Sequence, residues 1–112
     1  MSILSLEERV IYALIDPRSG KVLYVGVTDN PQYRYKEHIR CPPKESLAKN
    51  NWIKELLSLG LKPTFCFLEA THKDIAQERE YFWINHFSKL CPLFNHKIRK
   101  DTRVRKKLLP EG

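Results

Sequence analysis

RVIYALIDPRSGKVLYVGVT, residues 9–28, sets two runs rich in β-branched and aromatic residues on either side of Pro17-Arg18-Ser19-Gly20. Strand formers flanking a turn sequence predict a β-hairpin, with strands over residues 9–16 and 21–28. Side chains alternate along a strand, so Val10, Tyr12 and Leu14 share one face of the first, and Tyr24, Gly26 and Thr28 share one face of the second. Each strand therefore offers one phenol.

Beyond the hairpin, Asn30-Pro31 marks a helix start. The Asn side chain can cap the first free N–H groups, and a proline at the first helical position gives up no hydrogen bond. This helix is expected to end near Arg40, before Pro42-Pro43, and its Arg34 and His38 project from one side because they lie four residues apart. Ser46 signals a second helix, with apolar residues at Trp52, Ile53, Leu56 and Leu59 and a stop at Gly60. Residues 64–70 (TFCFLEA) predict a third strand beginning after Pro63. Thr71 with Asp74 predicts the cap of a third helix running to about Phe87, and CPLFNH, residues 91–96, leaves it in a non-helical turn.

A chain of 112 residues, 42% of them hydrophobic, suits one core, so a single domain over residues 1–96 is expected. It has no apolar run of about 18 residues, and its first residues lack the basic start and apolar stretch of a signal peptide. A soluble, cytoplasmic protein with no membrane segment is predicted. Cys41, Cys66 and Cys91 are an odd number without zinc-finger spacing and read as reduced and structural. The net charge of +7 is unevenly placed. Residues 97–112 hold Lys97, Arg99, Lys100, Arg103, Arg105, Lys106 and Lys107 against Asp101 and Glu111, a net of +5, while the body carries +2. Such a basic C-terminal tail reads either as a solvated extension or as a phosphate-binding, DNA-contacting segment, since each neutralised phosphate releases counterions.

One residue breaks the packing pattern. At 100° per residue the third helix gathers Ala76, Trp83, Ile84 and Phe87 into one stripe, and Glu80 falls inside it, whereas Glu78 points the other way. An isolated buried carboxylate is costly, so Glu80 should be protonated, paired with a cation such as Arg34 or Arg79, or bound to a metal.

Taken in order, these residues resemble the GIY-YIG nucleases. Val10-Ile11-Tyr12 and Tyr24-Val25-Gly26 stand in place of the name-giving tripeptides. Arg34 follows where the family has its helical arginine, and His38 where members carry His or Tyr. Glu80, in Glu78-Arg79-Glu80-Tyr81-Phe82-Trp83-Ile84, sits much like the family's metal-binding glutamate, and Asn95 in Leu93-Phe94-Asn95 like its late asparagine. The resemblance spans residues 10–95. It implies an α+β (α/β) fold, a three-stranded antiparallel sheet flanked by helices, and a single-metal DNA endonuclease using Mg²⁺ (or Mn²⁺).

On that reading Glu80 is the metal ligand, Arg34 stabilises the phosphate in the transition state, and Tyr24, joined by Tyr12, aligns the attacking water and accepts its proton. His38 is a competing base or relay, and Asn95 is catalytic or holds local structure. Val10 departs from the family's first glycine, and Val27 stands where several members carry a polar or basic residue that helps position the water. With few residues beyond the body, target choice falls to a homodimer or a protein partner, or is weak. Two other readings stay open: a catalytically silent nucleic-acid-binding module with the nuclease fold, and an α/β interaction domain in which Glu80 pairs with Arg34.

Overall fold

In the computed structural model, which describes residues 6–42 and 46–95, the hairpin strands are β1 (Glu8–Ile15) and β2 (Val22–Thr28). They are followed by α1 (Pro31–Arg40), α2 (Leu47–Ser58), β3 (Thr64–His72), a 3-10 turn over Lys73–Ile75, and α3 (Ala76–Ser88). The sheet is antiparallel throughout with order β2-β1-β3, so the first strand is the central one. The basic residues from Lys97 to Lys107 lie outside the described residues.

β1 is apolar on both faces because both are covered. Val10, Tyr12 and Leu14 pack with Trp52, Ile53 and Leu56 of α2, whereas Ile11 and Ala13 pack with Val25 and with Ile84 of α3. The helix ends follow the local signals. Asn30 accepts the Tyr33 N–H at 3.1 Å, and Ser46 accepts that of Lys49 at 3.2 Å. Gly60, at φ 77°, closes α2 with Gly60 N–H to Leu57 C=O and Leu61 N–H to Leu56 C=O, the paired bonds of a left-handed cap. Leu59, expected in the apolar stripe, is 57% exposed because it sits on that closing turn, past the face that meets the sheet.

The start of the third helix also differs from the expectation. Thr71 does not cap it. β3 continues through His72, pairing Thr71 with Arg9 and His72 with Glu8, and the central strand thus satisfies backbone groups that a helix end would leave free. The 3-10 turn is opened instead by His72, whose Nδ1 accepts the Asp74 N–H at 3.1 Å. A bulge between Ile11 and Tyr12 lets Glu69 pair with Ile11 while Phe67 pairs with Tyr12. Glu69 receives a forked pair of bonds from Arg79 and the Trp83 indole N–H at 2.9 Å, which ties α3 to the sheet.

α2 is tied to the hairpin by Asp16. Its carboxylate accepts Trp52 Nε1–H at 2.9 Å and Arg18 Nη2–H at 2.9 Å, and Arg18 also reaches Glu55 on α2. The Arg18 hydrogen bond, together with the indole, holds the Asp16 carboxyl well below its ordinary pKa. A depressed carboxyl stabilises the fold above its unfolded pKa of about 4 and loses that contribution as pH falls toward the folded value. Asp16→Ala should therefore cost about 2 kcal/mol in urea denaturation at pH 7. The gap from the native chain should narrow below about pH 4; a gap that is constant with pH would contradict it.

Candidate active site

The register of β1 on β2 sets Tyr12 across from Gly26 and Leu14 across from Tyr24, which brings the two phenols to one face with ring centroids 6.3 Å apart. Tyr12 is wholly buried. It stacks on Phe65 of β3 at 4.8 Å, and its hydroxyl lies over the bare Cα of Gly26. A Cβ there would stand 2.5 Å from Tyr12 Oη and 2.6 Å from Cζ, inside any real contact. Gly26 is thus a functional position that backbone freedom alone does not explain; glycine within a strand is the sign of such a close approach.

α1 lies over this pair and presents both residues expected of it. His38 is buried, with Nε2 at 2.7 Å from Tyr12 Oη and its ring 5.1 Å from that of Tyr24. Arg34 lies one turn earlier on the same helix, and its Nη1 donates to Glu37 at 3.0 Å. Burial pushes the Tyr12 hydroxyl far above its ordinary pKa; the charges of Tyr24 and Glu80 add to the rise and Arg34 offsets part of it.

Glu80 is half-buried on α3 and lines an open cleft of roughly 500 Å³ with Arg9, Val27, Thr28, Asp29, Lys73 and Gln77. Arg79, one of its two expected partners, is engaged by Glu69. The cleft sits where β2 ends and α3 begins, so residues distant in sequence meet there. Arg9 and Lys73 add positive charge beside the carboxylate. Val27 contributes an apolar wall, and it packs at the same time with the Ile11 and Ile84 cluster.

Asn95 belongs to the scaffold of the site. Its Oδ1 accepts Val25 N–H at 2.7 Å and its Nδ2 donates to Val25 C=O at 2.8 Å, while Phe94 N–H donates to Leu23 C=O. The edge of β2 is pinned on both sides of Tyr24, as a fourth strand would pin it. Tyr12, Tyr24 and His38 therefore form one cluster with Arg34 a turn away on α1, Glu80 lines a separate cleft that includes none of these four, and Asn95 holds the strand that carries Tyr24.

Sequence reasoning missed Lys49. It is 1% exposed on α2, with Nζ 3.0 Å from His38 Nδ1 and 5.6 Å from the centroid of the Tyr24 ring. The signal was available: Lys49, Trp52, Ile53 and Leu56 have the i, i+3, i+4, i+7 spacing of a buried helix face. Among the described residues no helix is long and apolar enough to cross a membrane, and no group of three or more His, Cys, Asp or Glu is placed to cage a metal ion.

The family model described as the GIY-YIG catalytic domain matches residues 8–95. No curated protein and no solved structure matches the chain. The match begins with β1 and ends on Asn95, the residue that closes the sheet edge. Replacing Gly26 with Ala should destabilise the fold by about 1–3 kcal/mol in urea denaturation, the usual cost of overpacking. An unchanged midpoint would mean that the Tyr12 ring can step aside.

Proposed function

The chain belongs to the GIY-YIG catalytic-domain family, a family of nucleases, and from that premise we propose that it is a metal-dependent DNA endonuclease that hydrolyses phosphodiester bonds with a single divalent cation. The observation that carries this reading is the contact cluster of Tyr12, Tyr24 and His38, with Arg34 one turn away on α1, together with Glu80 on an open cleft beside the end of β2. The donor set suits Mg²⁺ or Mn²⁺. One hard carboxylate with room around it matches a cation that keeps several waters and takes the rest of its ligands from a phosphate. Glu80 would hold that cation, which when bound supplies charge to offset that developing on the phosphate.

The chain's own residues divide the remaining work by their burial. Tyr24, half-buried, is the phenol able to meet a water and take its proton. Tyr12 is wholly buried and its hydroxyl is held protonated by that burial, so it orients rather than abstracts. Arg34 offers its planar fork to the scissile phosphate, a role whose value rises as charge accumulates in the transition state. Arg9 and Lys73 on the cleft wall would meet neighbouring phosphates, as would the basic residues 97–107.

One observation favours the second reading, a catalytically silent nucleic-acid-binding module: Val27 places an apolar side chain on the cleft wall. Nicking of supercoiled plasmid in Mg²⁺ against EDTA decides between them. Glu80→Ala should lose nicking by on the order of 10²–10³-fold while its melting temperature stays near that of the native chain. Full activity in that variant removes Glu80 from the mechanism, and a native chain that binds DNA without nicking it establishes the silent module. Arg34→Ala should lower kcat by a similar factor and leave DNA affinity within about threefold, because one phosphate contact adds little to ground-state binding. A collapse of affinity alone would make Arg34 a binding residue.

A further inference from the structure

We infer that Lys49 is a positioning residue that fixes the proton on His38, making His38 a donor to Tyr12 and not a base. Facing Lys49 Nζ are His38 Nδ1 at 3.0 Å, Asn50 Oδ1 at 3.4 Å, and the face of the Tyr24 ring at 5.6 Å to its centroid. The side of the Asn50 amide is set independently, since its Nδ2 donates to Pro42 C=O at 2.8 Å and so turns Oδ1 toward the lysine. Each of these accepts, which suits an ammonium, a group with donors and no lone pair.

The consequence for His38 follows from the inventory of its ring. An ammonium can only donate, so Nδ1 must accept, and in a neutral imidazole the hydrogen then sits on Nε2. Nε2 faces Tyr12 Oη at 2.7 Å, and the bond runs from His38 to Tyr12. If the Lys49 proton crosses to Nδ1, Nε2 still keeps its own. In neither state has His38 a lone pair aimed at Tyr12, and the relay in which it draws a proton from that phenol has no acceptor.

Tyr12 is placed by the same chain. Its oxygen accepts from His38, so its own proton must be directed away from that nitrogen. Lys49, His38 and Tyr12 thus form a one-way series of donors starting on α2 and ending on the central strand, with all three members at 1% exposure or less. A series sealed from water is held in one polarity, because reversing it leaves a buried donor facing a donor. Tyr12 from β1, Tyr24 from β2 and Lys49 from α2 all meet the His38 ring.

The part Tyr12 plays in catalysis rests on the nuclease reading, but the proton positions do not, and the test separates the two. Two-bond ¹H–¹⁵N spectra of the full chain at neutral pH, with the His38 signals identified by their loss in His38→Gln, should show Nε2 protonated and Nδ1 bare and hydrogen-bonded. Lys49→Arg should keep that pattern. Lys49→Met should move the Nδ1 signal and lower kcat for plasmid nicking by on the order of tenfold with KM little changed. A proton on Nδ1 in the native chain overturns the proposal without any variant, so a failure of Lys49→Met to fold does not protect it. An Nδ1 signal unmoved in Lys49→Met overturns it equally. Because the spectra need no substrate, a chain that never nicks DNA would refute the nuclease reading and leave the tautomer result standing.

Discussion

The Tyr12 hydroxyl lies over the bare Cα of Gly26, and the rest of the site takes its dimensions from that contact. A phenol can cross to the neighbouring strand only where that strand has no Cβ, and once there its oxygen is within reach of the helix that follows the hairpin. His38 and Arg34 approach it from α1, Phe65 stacks on the ring from β3, and Tyr24 lies alongside. A side chain at Gly26 would push the ring toward all of them at once.

A site built across three strands and three helices has to hold those elements in register, and polar ties inside the packing do so. Asp16 fastens the hairpin to α2 through Trp52, Glu69 fastens β3 to α3 through Arg79 and Trp83, and Phe94 and Asn95 close the edge of β2 on either side of Tyr24. Among the described residues no buried side-chain nitrogen or oxygen lacks a hydrogen-bond partner. Geometry fixed in this way suits a reaction that depends on placing a carboxylate, a guanidinium and a phenol around one phosphate, where small displacements are costly.

Two charged residues sit at helix positions that packing would give to Leu. Glu80 was legible by that test alone, because helical periodicity places it among Ala76, Trp83, Ile84 and Phe87. Lys49 passes the same test beside Trp52, Ile53 and Leu56, although a lysine stem more often lies along a surface with its head in water. Glu80 lines the cleft beside the end of β2, and Lys49 reaches His38, whose other ring nitrogen meets Tyr12.

Local chemistry in the sequence was enough for the hairpin, for the faces of its strands, for the Asn30 and Ser46 caps and for the Gly60 stop, since each depends on neighbours within a few residues. It was misleading at Thr71, where a capping pattern gave way to eight pairings with the central strand, and at Leu59, where periodicity outran the helix. The identities of the clustered residues were also legible, from the resemblance of their order and separations to a known family. Only the tertiary structure decided their surroundings: which tyrosine is wholly buried, which partner holds Arg79, what Asn95 binds, and which nitrogen of His38 faces Tyr12. These depend on strand register and on how α1, α2 and α3 dock, and docking joins residues 26 or 70 positions apart through distances of about 3 Å that spacing along the chain does not encode.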